Sequence, residues 1–276
     1  VFYVSRLYHT ALYFLLYLLK TNIMKKLIYL FIYLLIVACS GDSVSEEFDN
    51  TNGNVQEKLI SSIALISNQD SQENGVISLS YNSDGSLNTI NNGTETQIFI
   101  YNDNNELTNV SGGGDNLNIL ELYESPYEVF ETGEVVVYDD NGNPQDIEFY
   151  EEEEVYDNDT GNYYYVTKIY TAEITYDNTH NPYFYTLEAA GIIEVLDGVQ
   201  LDIGVNAQLP EIVQARMFFP LNNPSQINYK NEEGQILFTT NANYVYDDEN
   251  YPTSATITNV KNDEVTTYSA IFQYVD

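Results

Sequence analysis

The residues that most often carry chemistry are scarce in this sequence. It has one Cys, two His and no Trp, and nine Lys and Arg stand against 42 Asp and Glu, a formal net charge of −33. So few bases exclude a nucleic-acid binder, which needs cations to displace counterions from phosphates. Two His and one Cys are too few ligands for a transition-metal centre, and a single Cys admits no disulfide within the chain. The acidity does not mean disorder, because 43% hydrophobic and 14% aromatic residues supply ample material for a core.

The charge is divided sharply along the chain. Residues 1–39 hold Arg6, Lys20, Lys25 and Lys26 and no acid, so every acidic residue falls on the remainder. Within the acid-free part, Met24-Lys25-Lys26 precedes an apolar run from Leu27 to Val37 and then Ala38, Cys39, Ser40 and Gly41. A short basic stretch, an apolar stretch of about 7–15 residues and small residues at the cut form a secretory signal. Ile36-Val37-Ala38-Cys39 resembles the lipobox of bacterial lipoproteins, with Ile36 in place of the usual Leu. The resemblance implies cleavage before Cys39, diacylation of its thiol, and attachment to the outer membrane through the lipid. The bland alternative is a buried thiol at the end of an uncleaved anchor helix. The expected organisation is 1–23 as an over-extended start ahead of Met24, 24–38 as the signal peptide, 39–54 as a lipidated Cys with a flexible acidic tether, and 55–276 as one β-rich domain. Ser45-Glu46-Glu47-Phe48-Asp49 also resembles the acidic export signal of surface lipoproteins in Bacteroidetes-type bacteria; an acidic solvated linker explains the same residues, which leaves both the cell surface and the periplasmic face open.

The body repeats a local pattern: Tyr, then Asn or Asp, then Gly, Asn or His at +4, then Leu or Pro at +6. It occurs at Tyr81 with Gly85 and Leu87, Tyr101 with Asn105 and Leu107, Tyr138 with Gly142 and Pro144, Tyr176 with His180 and Pro182, and Tyr246 with Asn250 and Pro252; looser copies start at Tyr156 and Tyr229. The pattern reads as a strand ending in Tyr, a polar turn whose Asx side chain caps its own backbone, a left-handed residue and a returning strand. Runs such as Val135-Val-Val-Tyr138 and Ile98-Phe-Ile-Tyr101 have strand composition. The expected fold is all-β: an antiparallel meander of consecutive hairpins, about twelve to sixteen strands, curved into an open barrel or sandwich. The repeat resembles the YD-type repeats of secreted bacterial β-rich proteins, and the Tyr176 and Tyr246 copies resemble turns of Bacteroidetes lipoproteins with porin-like or half-barrel sheets. That resemblance concerns architecture and implies no activity.

Between Pro182 and Pro224 the repeat lapses. Leu187-Glu-Ala-Ala-Gly191 and Pro210-Glu-Ile-Val-Gln-Ala-Arg-Met217 have helix-forming composition, the second with Pro at a first-turn position. The spacing predicts a helical excursion near 184–219 that plugs the sheet, burying Ile192, Ile193, Val195, Leu196, Ile212, Val213, Met217, Phe218 and Phe219; a lid over a ligand is the functional alternative.

The residues offer little catalytic chemistry. His180 is the one His after Cys39 and occupies the left-handed turn position of its copy, so it reads as a turn residue rather than a triad base. Carboxylates are the abundant reactive groups, which leaves a glycosidase using a pair from Glu151–Glu154 as the enzyme to weigh against a solvated strand face. Calcium is the one cofactor the acids suggest: Asp139 and Asn141, and Asp157 and Asp159, place hard oxygens at alternate positions, although turn capping uses the same atoms. Tyr163-Tyr164-Tyr165 reads as cross-strand aromatic pairing or as a surface on which sugars stack. The expected function is a non-catalytic scaffold or binding module of the envelope, with a calcium-dependent or glycan-binding adhesive module as the alternative and a glycan or envelope protein as its partner.

Overall fold

A computed structural model describes residues 42–113, 117–118, 134–158, 160–202, 212–262 and 264–275. The strands fall in the order β1 (Ile60–Ser67), β2 (Gly75–Tyr81), β3 (Leu87–Asn91), β4 (Thr96–Tyr101), β5 (Leu107–Ser111), β6 (Leu117–Asn118), β7 (Glu134–Tyr138), β8 (Pro144–Asp157), β9 (Asn162–His180), β10 (Gln200–Asp202), β11 (Ile212–Gln214), β12 (Asn222–Lys230), β13 (Ile236–Tyr246), β14 (Pro252–Lys261) and β15 (Glu264–Tyr274). All but β10 and β11 join one antiparallel sheet of 13 strands, ordered β6-β5-β4-β3-β2-β1-β15-β14-β13-β12-β9-β8-β7. The meander is as expected, as one open sheet rather than a sandwich, and among the described residues it does not close.

The hairpins follow from the repeat. After Tyr101, Asn105 N–H donates to Asn102 O and Asn102 N–H to Glu106 O, both at 3.0 Å, and Asn105 sits at φ 68°. After Tyr138, Gly142 N–H donates to Asp139 O at 3.1 Å with Gly142 at φ 86°. This is a type I turn closed by a left-handed residue and a bulge. The Asx at +1 secures it: Asp247 Oδ1 accepts from Glu249 and Tyr251 N–H at 3.0 and 2.9 Å, and Asn102 Oδ1 accepts from Asn104 and Glu106 in the same way.

The role of the Tyr is a finding of the structure. In three copies its hydroxyl donates to a carbonyl on a neighbouring strand: Tyr81 to Ile60 O, Tyr101 to Leu87 O and Tyr176 to Pro144 O, at 2.7–2.8 Å. Tyr138 donates instead to Met217 O in the excursion and Tyr246 to the Asp177 carboxylate. Two Tyr outside the motif make the same strand-to-strand bond, Tyr274 to Pro252 O at 2.9 Å and Tyr244 to Pro224 O at 3.2 Å. Each of these five strand carbonyls lies at a register shift in its ladder. A bulge disrupts the ladder where it falls, and a carbonyl left there needs another donor; the phenol supplies it. Burial pushes Tyr101 up to about 12 and raises Tyr176, Tyr244 and Tyr274 as well, so all remain donors.

One copy departs from the pattern. The Tyr176 copy is not a hairpin, because β9 runs on to His180, which pairs with Asn222 across the excursion. His180 is therefore not a left-handed turn residue. It is a strand residue, 5% exposed, with its ring 4.4 Å from that of Tyr251 and 6.4 Å from that of Phe48. The partner strand comes from beyond the excursion, so the chain has no cause to reverse at this point.

The stretch read as a flexible tether is also different from Ser43 onward. Val44–Asn52 forms helix α1, closed by a capping box: Ser43 Oγ accepts from Glu46 N–H at 3.2 Å and Ser43 N–H donates to Glu46 Oε2 at 3.0 Å. Ser-x-x-Glu ahead of Val44 and Phe48 at i and i+4 is the physical cause. Both apolar side chains are fully buried, so α1 belongs to the unit Ser43–Asp276.

The excursion contains α2 (Phe184–Ala189) and α3 (Ile192–Gly198), as expected. Its second expected helix is instead the short strand β11, which pairs with β10, followed by a 3₁₀ turn at Ala215–Phe218; the β-branched Ile212 and Val213 favour the strand. Ile193, Val195 and Phe219 are buried, Ile192, Leu196 and Phe218 partly so, while Met217 is 41% exposed, against expectation. The helices cover the sheet at its turn end. Ala190, Val195 and Val199 pack on Leu87, Phe99 and Leu107, and Phe48 packs with Phe184, Ile193 and Leu221.

Candidate functional site

A cleft of about 570 Å³ opens where the end of α1 meets the turn end of the sheet. Its walls come from Thr51, Asn52 and the segment Asn54–Gln56, from Asn141 in the β7–β8 turn, from Asn178 to His180 of β9 with Asn222 of β12, and from Glu249 and Asn250 in the β13–β14 turn. The base is structural. Asn222 Nδ2 donates to Asn52 Oδ1 and to Thr179 O, both at 3.1 Å, while its Oδ1 accepts from the fully buried Asn143 at 2.8 Å. Asn143 Oδ1 in turn accepts from Leu221 and Asn222 N–H at 2.7 and 2.9 Å. This buried amide network fixes β12 against the β7–β8 turn, and a network with its partners in place makes a rigid floor.

The rim differs from the floor. Asn54, Gln56, Asn141, Asn178 and Asn250 are exposed, and their side-chain amides make no hydrogen bond among the described residues. His180 also lines the cleft, and its Nε2 is buried without a hydrogen-bond partner. Burial lowers its pKa against the pull of Asp247 and Asp177, so the ring is held neutral. No serine or carboxylate is bonded to it among the described residues. Lys58, behind the cleft, is bonded to Asp247 at 2.6 Å and Glu249 at 2.7 Å. Burial works against its charge, but the two carboxylates outweigh that and raise its pKa.

A second, smaller cleft of about 300 Å³ is acidic, with Glu57, Asp84, Glu188 and Glu194 around Tyr101 and Tyr185. Burial, together with the neighbouring carboxylates and against a bond from Ser45, raises the pKa of Glu188.

The residues singled out in the sequence lie mostly elsewhere. Asp139 spends both carboxylate oxygens on its own turn, accepting from Asn141 and Asn143 N–H at 2.9 and 2.8 Å and from Asn143 Nδ2 at 2.9 Å. Asp157 accepts from Thr160 Oγ1 at 2.7 Å. Cys39 and Asp159 lie outside the described residues, and among those described no three His, Cys, Asp or Glu converge on a point. Among the described residues Glu151–Glu154 pair only with Tyr165–Lys168, as a two-stranded ribbon, because β7 reaches β8 only as far as Glu148 and β12 reaches β9 only as far as Thr171. Tyr163, Tyr164 and Tyr165 stand on that ribbon, 64%, 49% and 67% exposed. Of the turn-motif residues, Asn250 alone reaches the cleft as a left-handed residue; His180 reaches it from a strand. Sequence reasoning missed Asn54, Gln56 and Asn178. Each is an ordinary polar residue in its own segment, and no local signal marks it.

No protein-family model and no curated protein matches the chain. Solved structures similar to it include a porin-like protein from Bacteroides uniformis ATCC 8492, at 11% identity and TM-score 0.35 over 78% of this chain and 98% of that one. A porin-like protein from Bacteroides vulgatus ATCC 8482 follows at 11% and 0.34, over 79% and 99%. A LolA superfamily protein from Nitrosomonas europaea stands at 13% and 0.24, over 84% and 92%. Likenesses this distant carry nothing about what this chain binds.

Proposed function

We propose that the chain is a non-catalytic binding module of the bacterial envelope, held at the outer membrane by a lipid on Cys39. The observation that carries the binding role is the cleft: unbonded amides from separate segments face one space over a rigid floor, and the His there is neutral and is bonded to no serine or carboxylate among the described residues. The lipobox-like Ile36–Cys39 and the change from acid-free to acidic sequence at Cys39 support the anchor. The capped helix starts at Ser43, so a lipid on Cys39 would be joined to the folded unit by a short stretch of chain. Cys39→Ser tests the anchor. Expressed in an outer-membrane-bearing bacterium fed an alkyne-tagged fatty acid, the variant is expected to lose the label and leave the membrane fraction; a variant that stays labelled overturns the reading.

A further inference from the structure

We infer that the cleft beside α1 takes a neutral, polyhydroxylated ligand, a short saccharide. The inference rests on reading the chain as a binding module and adds the chemistry of what it binds. A carboxamide both donates and accepts hydrogen bonds without charge, so Asn54, Gln56, Asn141, Asn178 and Asn250 present alternating donors and acceptors that match a run of hydroxyls. Other ligand classes fit poorly. An anion would find no free cation in the lining among the described residues, because Lys58 is bonded to both Asp247 and Glu249, and the net charge of −33 would repel it. A cation would find one carboxylate in the lining, Glu249, which Lys58 already holds. An apolar ligand would strip water from five amides and return no hydrogen bonds, a costly exchange.

Two further features agree. The space, about 570 Å³, lies within the range of small-molecule sites, about 300–1,000 Å³. His180, in the lining and 5% exposed, leaves Nε2 without a partner among the described residues, and its neutral ring adds no charge to the wall of the cleft. The ligand is thus recognised at the amide rim, and the exposed Tyr ribbon is not required.

The test is a titration of the purified protein with a panel of neutral di- and trisaccharides, an acidic oligosaccharide and an uncharged tripeptide, followed by the side-chain amide signals in NMR and by thermal shift. At least one neutral saccharide is expected to move the Asn and Gln amide signals saturably. The double variant Asn54→Asp and Asn178→Asp, which replaces donors with carboxylates at exposed positions, is expected to weaken it by at least about tenfold at an unchanged melting temperature. Tyr164→Ala on the ribbon is expected to leave it unchanged. Three results overturn the inference: no neutral saccharide binds at millimolar concentration, the acidic one binds better, or binding survives the double variant and is lost with Tyr164→Ala. Tripeptide binding abolished by the double variant would refute the saccharide while leaving the binding module standing, and the Cys39→Ser fractionation reads the anchor independently of both.

Discussion

Phe48 decides whether the acidic segment ahead of the sheet is part of the fold. Its ring is fully buried, stacked on Phe184 with centroids 3.7 Å apart and planes 5° from parallel, and edge-on to Tyr185 at 5.8 Å. Replacing it with Ala removes a whole aromatic side chain from a cluster that includes Val44, Ile193 and Leu221. The cost for such a truncation is about 3–5 kcal/mol, of which the ring pairing supplies about 0.5–1.5 kcal/mol. For a unit of this size each kcal/mol moves the melting temperature by about 2–4 °C, so Phe48→Ala is expected to melt about 6–20 °C lower. The assay is thermal unfolding followed by circular dichroism, with Asn50→Ala, exposed on the same helix, as a control expected to stay within about 0.5 kcal/mol of the parent. If Phe48→Ala melted with the parent, α1 would not be docked, and the segment would be the tether its composition suggests.

Gly142 lies at φ +86°, and a Cβ there would meet only Leu221 Cδ1 at 3.8 Å; Gly142→Val should therefore cost about 1–2 kcal/mol through backbone strain, while Gly142→Asn, the residue used at Asn105 and Asn250, keeps most of the stability, and equal melting of all three proteins would refute the turn assignment. Tyr101→Phe removes the donor to Leu87 O and is expected to cost about 1–3 kcal/mol in urea unfolding; a neutral result would show that water serves that carbonyl equally well. Burial lowers the pKa of His180 below its ordinary 6.5. As pH falls the unfolded chain takes up that proton before the folded one, so the stability is complete above about 6.5 and declines below it. His180→Gln should flatten the decline between about pH 7 and 5, and an unchanged slope would count against a buried neutral ring.

The meander was legible because each hairpin is written in a few adjacent residues. The Asx at +1 and the Gly or Asn at +4 make their hydrogen bonds within the turn, as Asn102 and Asn105 do, and need nothing distant to define them. The Tyr at the start of the motif was visible as a pattern but not as a function, because the acceptor it serves lies in another segment: a strand carbonyl for Tyr81, Tyr101 and Tyr176, Met217 O for Tyr138 and the Asp177 carboxylate for Tyr246. Helix α1 was obscured by its acids: Glu46, Glu47 and Asp49 read as solvation, although Ser43 and Glu46 already spelled a capping box. His180 shares the turn-motif position of Asn105 and Gly142, yet its conformation is set by Asn222, which the chain supplies only after two helices. The cleft was illegible for the same reason. Asn54, Asn141, Asn178 and Asn250 are each unremarkable in their own segments, and topology alone brings them to one rim.

The strand order also bears on how the chain folds. β1 lies between β2 and β15, with Ile60 opposite Tyr274 and Val275 N–H donating to Leu59 O at 2.8 Å. Consecutive strands β6 and β7, by contrast, occupy opposite margins of the sheet. The seam between the first and last strands therefore sits inside the sheet, and closing it spans nearly the whole unit in sequence. Pairings of such separation carry the largest loop-closure entropy and slow the search. Hairpins such as β2–β3 or β13–β14 can assemble as they emerge, but they remain two separate blocks until the C-terminal strand arrives to join them. The half-finished sheet exposes bare strand edges in that interval, which makes the time before β15 docks the period of greatest exposure to misassembly.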